Sequence, residues 1–250
     1  MAMAETAEMG TEPGYRSDPY ARELMTEVRA FTDEGGIICA ESIFYPTGGG
    51  QPGDSGRLIW EDGEIEIATA VKAGPEAPGA VILVPAEPQP LPPPGTPVRQ
   101  EIDWERRHRH MRVHTALHLL SVAIPLPVTG GQIGPERGRL DFDMPEKPED
   151  LEAIERQLNA WVTLDLPVRE SWISDAELEA QPELVKTMSV APPKGPGRVR
   201  LVSIGEGAAR IDLQPCGGTH VASTAEIGTL KLGKIEKKGK QNRRVYLHLA

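Results

Sequence analysis

Cysteine is scarce in this chain, with two in 250 residues. Two thiols cannot build the disulfide framework of a secreted scaffold, and they fit a reducing compartment, so the expectation is a cytoplasmic protein. Long apolar runs are missing as well. Hydrophobic residues make up 39% of the chain, a soluble composition, and no run approaches the roughly 20 apolar residues that a membrane helix needs. The opening MAMAETAEMGTEPGYRSD is polar and acidic, without a secretory apolar core. An excess of positive charge is also lacking. The 27 Lys and Arg face 37 Asp and Glu, for a net charge of −10, which argues against a uniformly basic nucleic-acid binder. The glycine run Gly48–Gly50 lacks the following Lys-Ser/Thr of a phosphate-binding loop. No repeat of solenoid period is present.

What the chain does contain is the run His108 to Ser121, HRHMRVHTALHLLS. No Pro or Gly interrupts it, and the surrounding Val113, Ala116, Leu117, Leu119 and Leu120 predict a helix. His114 and His118 then project from one face, a turn apart, where two imidazoles can grip one metal ion. Such a pair alone is more often core or surface histidine than ligand, and a single Cys216 more often an inert buried thiol. The pairs complete each other: Cys216 and His220 stand in PCGGTH, where Gly217 and Gly218 allow a tight turn. Three His and one Cys form a zinc set of nitrogen and sulfur ligands. A zinc protease helix would read HExxH, with Glu as general base. Here that position is Thr115, so no carboxylate base comes with the motif.

The charges are unevenly spread. Acids dominate from Asp141 to Glu183, and bases from Lys231 to Arg244; Arg106, Arg107, Arg109 and Arg112 cluster before the histidine pair. Either basic cluster could meet phosphates, or be a solvated face. Residues 1–18 read as a disordered tail on composition. Residues 19–105 show short strand-like runs with turn signals between them, Asp33-Glu34-Gly35-Gly36 among them, which predict a small β-barrel. Pro85 to Pro97, with seven prolines, is a stiff extended connection within it. The run DWERR, Asp103 to Arg107, marks the boundary. Residues 106–250 read as an α+β two-layer domain, helices on one mostly antiparallel sheet. It includes a helix from Pro148 to Thr163, strands at Arg139–Met144, Val168–Ile173, Val199–Ile204, Ala209–Leu213, Thr229–Ile235 and Arg244–Leu249, and a capping box at Ser174 and Glu177.

HTALH together with CGGTH resembles the editing domain of alanyl-tRNA synthetase and of the free-standing AlaX-type editing proteins. GGQIGPERGRLDFDM, CGGTHVASTAEIG, and the barrel motifs FYPTGGGQPGDSG and DWERR are similar to that family too, so the likeness covers Asp18 to Ala250. The resemblance implies hydrolysis of the ester joining a wrong amino acid, chiefly serine with glycine second, to alanine tRNA. It implies zinc at His114, His118, Cys216 and His220, and Gln132 near the pocket. It links the loop Gly48, Gly49, Gly50 and Gln51 to discrimination of seryl from alanyl esters. Thr115 replaces a serine and keeps a hydroxyl; Thr115 and Gln132 are the candidates for pairing with the seryl hydroxyl. Zinc would either lower the pKa of a bound water or orient the substrate, and the terminal ribose hydroxyl could relay the proton. If all four ligands bind at once the metal positions or stabilises. Two alternatives stay open: a zinc-stabilised tRNA-binding module without chemistry, and a hydrolase acting on another ester or amide.

Overall fold

The computed structural model describes residues 12–74, 77, 79–187 and 197–250. The chain divides into two compact units. One runs up to Gly48 and resumes from Pro52 to Arg107; the other takes Gly49–Gln51 and His108–Ala250.

The first unit is a closed antiparallel barrel of six strands. In order around it they are Glu23–Phe31, Ile37–Cys39, Val81–Pro85, Gly63–Lys72, Gly56–Trp60 and Pro97–Ile102. Alternation sends Val28, Ile37, Leu58, Ile65, Ile67, Leu83 and Val98 into one core. In Gly63–Lys72 the inward parity changes between Ile67 and Ala70, and the ladder absorbs this with a register shift between Ile67 and Thr69. The turn at Asp33–Gly36 joins the first two strands, with Gly35 at φ +84°. The proline-rich stretch from Pro85 to Pro97 forms neither helix nor strand between its end residues.

The expected disordered tail needs correction at its end; residues 1–11 lie outside the described residues. Glu12–Pro13 pairs in parallel with Glu41–Ser42, and Gly14–Ser17 is one helical turn. Tyr15 is the reason: its ring packs edge-on to Tyr45, centroids 5.4 Å apart, and is buried. Arg107, expected among residues that meet phosphate, is fully buried instead. Its Nε donates to Asp54 Oδ2 (2.8 Å), its Nη1 to Pro19 O (2.9 Å) and its Nη2 to Ile43 O (2.5 Å). Asp54 also accepts from Tyr45 N at 2.6 Å, so one ion pair pins several segments of chain.

The histidine helix spans Trp104–Ala123, longer than expected, because Asp103 caps it: its Oδ1 accepts from Arg106 N at 3.1 Å. DWERR is thus the first turn of that helix, and the division between units falls inside it. The second unit holds two antiparallel sheets where one was expected. Four strands run in the order Leu230–Lys237, Asn242–Leu249, Arg137–Asp143, Val128–Ile133; three run Val168–Ser174, Arg198–Ile204, Asp212–Pro215. Period-2 patterning identifies strands but not their partners, and VTGGQI at Val128–Ile133 is hidden by its two glycines. Asp212–Pro215 replaces the expected Ala209–Leu213, since Gly207–Ala209 is a 3-10 turn. Gly138 lets the histidine helix lie on the four-stranded sheet: a Cβ there would stand 2.7 Å from Val113 and 2.8 Å from Leu117. The helix Leu151–Thr163 starts three residues later than expected, because Asp150 lies outside its first turn and caps it by accepting from Ala153 N. Asn159 fixes it to the sheet, donating to Leu230 O and accepting from Leu230 N, both 2.9 Å. The Ser174–Glu177 capping box forms as expected. Among the described residues no helix is long and apolar enough to cross a membrane.

Removing one partner of a buried pair strands the other charge, at a cost of about 3–5 kcal/mol. Arg107→Ala should therefore lower the urea-unfolding free energy by that amount. A loss under about 1 kcal/mol, the range of exposed pairs, would show that Asp54 is satisfied without it.

Candidate metal centre

His114 and His118 reach the site from the histidine helix; Cys216 and His220 come from the turn after the strand Asp212–Pro215. One ligand atom from each lies within 4.8 Å of every other. The imidazoles are 7%, 6% and 5% exposed in chain order. Cys216 Sγ is 3.2 Å from His220 Nε2 and 3.5 Å from His114 Nε2. A tetrahedral zinc with ordinary Zn–N and Zn–S bonds sets a nitrogen–sulfur edge of about 3.5 Å, so the donors present fit that ion in type, number and spacing.

The other ring nitrogens explain the convergence. His118 Nδ1 donates to Asp212 Oδ2 at 2.9 Å. His114 Nδ1 donates to Gln51 Oε1 at 3.0 Å. Thr115 Oγ1 gives its hydrogen to Met111 O (2.9 Å) and so accepts from His220 Nδ1 (3.1 Å) and Val221 N (3.3 Å). Each Nδ1 directs its proton outward, which turns the Nε2 edge of each ring toward Cys216. These partners are themselves held. Gln51 Nε2 donates to Thr219 Oγ1 at 2.8 Å, and Gln51 Oε1 also accepts from Thr219 N. Asp212 accepts from Lys186 Nζ and from Gln214 Nε2.

A family profile described as the threonyl and alanyl tRNA synthetase second additional domain matches residues 199–246, a stretch that contains Cys216 and His220. The alanyl-tRNA editing protein AlaX-M of Methanosarcina acetivorans is 35% identical over 246 residues, covering 96% of this chain and 99% of that protein. The AlaX-M protein of Saccharolobus solfataricus is 35% identical over 241 residues, 94% and 98% of the two chains. This chain belongs to the AlaX family of alanyl-tRNA editing proteins. The alanine–tRNA ligase of Pyrobaculum arsenaticum is 34% identical over 232 residues, which take in 89% of this chain and 25% of the ligase.

Within this AlaX site, the loop carrying Cys216 is clamped from below. Arg200 Nη1 donates to Cys216 O (2.7 Å) and Gly218 O (2.9 Å), and Arg200 Nε to Glu170 Oε2 (2.8 Å). Gly218 is needed for space, because an added Cβ would collide with the His114 ring. Of the glycine-rich loop, Gly48 belongs to the first unit and Gly49–Gln51 to the second. Close backbone approach occurs at Gly50, not Gly49: Ile133 N donates to Gly50 O at 2.9 Å, and a Cβ on Gly50 would stand 2.9 Å from Gly131 O. Gly49, at φ +57°, faces open space. Gln132 is exposed on the strand Val128–Ile133, its Oε1 accepting from Arg139 Nε at 3.1 Å. Asp212, Gln214 and Arg200 escaped the sequence reading. Asp212 and Gln214 precede Cys216 at period 2 in DLQPC, the one signal that marked them as sharing its strand face.

The titrating groups of the cluster act strongly on one another. Burial disfavours a charged His118, yet its bonds to Asp212 and Cys216 lift its pKa to about 9. Burial and the neighbouring His114 press His220 down to about 3. Burial would raise the Cys216 thiol, but His114 and His220 hold it well below its ordinary value. The other thiol, Cys39, is pushed up to about 11 by burial. Metal loading must displace the His118 proton.

Outer partners of ligands are worth about 10–100-fold in metal affinity. Thr115→Val should weaken zinc binding by that factor in a chelator-competition titration, while Thr115→Ser should not. Equal affinities for the two variants would remove the hydroxyl from the account.

Proposed function

We propose that the protein is a zinc-dependent trans-editing hydrolase of the cytoplasm. It deacylates alanine tRNA that carries a wrong amino acid, serine first and glycine second. The observation that carries this reading is the buried four-donor cluster with every Nδ1 proton directed outward, in a chain whose full-length relatives are named alanyl-tRNA editing proteins. Zinc, when bound, supplies a Lewis acid that polarises or orients the groups of the ester. His114, His118, Cys216 and His220 hold it; Gln51, Asp212 and Thr115 keep their rings aimed.

The reaction adds water across the ester: the bond from acyl carbon to ribose oxygen breaks, and that oxygen takes a proton. Thr115 stands where a zinc protease has its glutamate, and its hydroxyl is already committed to Met111, His220 and Val221. We therefore assign Thr115 a positioning role through His220, and the proton relay to the neighbouring ribose hydroxyl of the substrate. Gln132 remains the candidate for meeting the amino-acid side chain. Arg139 occupies its Oε1, and its Nε2 makes no hydrogen bond among the described residues. Gln132 is exposed, so such a donor rejects alanine only where the bound substrate shuts water away from its Nε2. Gly50 sets the loop close to Gly131 and beside Gln132, which supports a part for Gly49–Gln51 in telling seryl from alanyl esters.

Four converging donors also favour a second reading, a closed metal site that only stabilises. Deacylation of seryl-, glycyl- and alanyl-tRNA(Ala) side by side separates the two. The expected order is seryl, then glycyl, with alanyl spared, and Cys216→Ala should lose both zinc and hydrolysis. Hydrolysis that persists unchanged in folded, zinc-free protein would sink the metal's part in the chemistry.

The RNA should meet the exposed bases Lys237 and Lys240 first, with Arg109, which pairs with Glu136 at 3.7 Å, after them. Lys237 and Lys240 make no ion pair among the described residues, whereas Lys231, Lys234 and Lys238 pair with Glu155 or Glu236. Replacing Lys237 and Lys240 with Ala should flatten the slope of log affinity against log salt by about 1 to 2. An unchanged slope would place the phosphates elsewhere.

A further inference from the structure

The three-stranded sheet carries a cross-strand row of which the metal centre uses one end. Trp172 is the ladder partner of Arg200. Arg200 in turn lies beside Cys216, whose N donates to Arg200 O at 3.2 Å, next to the pair Leu201 and Pro215. Directly opposed residues present their side chains on one face, so Trp172, Arg200 and Cys216 share a face. With strands about 4.8 Å apart, the Cα atoms at the two ends of the row are separated by roughly 10 Å.

Arg200 is buried and spent on the ligand loop and Glu170. Trp172 is 42% exposed. Arg198, also exposed, holds its Cζ 5.9 Å from the indole centroid and makes no ion pair among the described residues. A large exposed aromatic face beside a guanidinium with no ion pair among the described residues, in one row with Cys216, has no role in the barrel or in the His/Cys cluster.

We propose that Trp172 and Arg198 form a ledge for the last base of a single-stranded RNA 3′ end. The base stacks on the indole and Arg198 meets the adjoining phosphate. The ribose then lies toward Cys216, within about one nucleotide's reach along the row. This rests on the deacylase reading and adds to it the element that seats the acylated nucleotide. The surroundings favour RNA over protein. The ring is flanked by Arg198 and Glu170 rather than by the contiguous apolar surface of a protein interface, and stacking with a cation nearby is how single strands are held regardless of sequence.

The test uses the full-length, zinc-loaded protein and a non-acylated RNA hexamer ending in CCA with a free 3′-hydroxyl. Binding should quench tryptophan emission. Trp172→Leu should raise Kd about 10-fold and Trp172→Phe much less, with zinc content and Tm unchanged in both. Arg198→Gln should lower the salt dependence of binding. The same variants are assayed for deacylation of seryl-tRNA(Ala), where Trp172→Leu should raise KM more than it lowers kcat. Equal hexamer affinity for wild type and a folded Trp172→Leu overturns the ledge while leaving the deacylase reading intact. Trp172-dependent hexamer binding by a wild type that hydrolyses nothing upholds the ledge and removes the deacylase. Self-association that Trp172→Leu abolishes, with no hexamer binding in the wild type, would assign the ring to a second copy of the chain and overturn the proposal.

Discussion

Three imidazoles can share one point only if their Nε2 lone pairs are free, and that depends on where each Nδ1 proton goes. The protein answers with three chemically different acceptors: the Asp212 carboxylate, the Gln51 amide oxygen and the Thr115 hydroxyl. Each acceptor has a single sensible orientation because its remaining hydrogen-bonding capacity is already used. In a buried site a wrong tautomer would leave an acceptor facing an acceptor, which costs more than the net worth of the bond. The cage is therefore ordered before any ion enters, and little conformational freedom is left to lose on binding.

That ordering is built from backbone upward. The helix supplies the i,i+4 spacing of His114 and His118. The turn after Pro215 supplies the other two donors, and Arg200 ties its carbonyls to the sheet. Gly218 is small where the His114 ring must pass, and Gly50 is small where the loop carrying Gln51 must run along Gly131. Substitution at either glycine acts on the ligand geometry through a neighbour. The same logic recasts Thr115: the position that carries the base in a zinc protease here steers a ligand.

The barrel, its six strands, the histidine helix and the residues of the His/Cys cluster are legible in the sequence, because each leaves a local mark: alternation, an uninterrupted apolar run, a cap, a paired spacing. What it did not disclose is long-range. Nothing in VTGGQI announces a strand, since two glycines remove the alternation, and nothing local says that the strands of the second unit separate into two sheets. Gln51 was noticed as part of a loop, yet its bond to His114 spans 63 residues of chain. Asp212 and Arg200 act through partners 94 and 16 residues away. Tyr15 was hidden by the acidic composition around it, because average composition says nothing about one well-placed ring.

The arginine cluster shows how far helical phase alone could have gone. Once the helix begins at Trp104, Arg107 lies seven residues before His114 and eleven before His118. At 3.6 residues per turn those are nearly whole numbers of turns, so Arg107 falls on the same inward side of the helix as His114 and His118. A guanidinium there cannot meet phosphate; it needs an internal counter-charge, which Asp54 supplies. Arg109, five residues before His114, falls well over a quarter-turn off that face and is exposed. Counting bases in DWERRHR therefore misleads, because one helix buries Arg107 and exposes Arg109 two residues on. The same distinction separates the hairpin lysines held by Glu236 from Lys237 and Lys240. The net charge of −10 thus bears on solubility, while attraction for a polyanion is decided by the few cations that burial and pairing leave uncommitted.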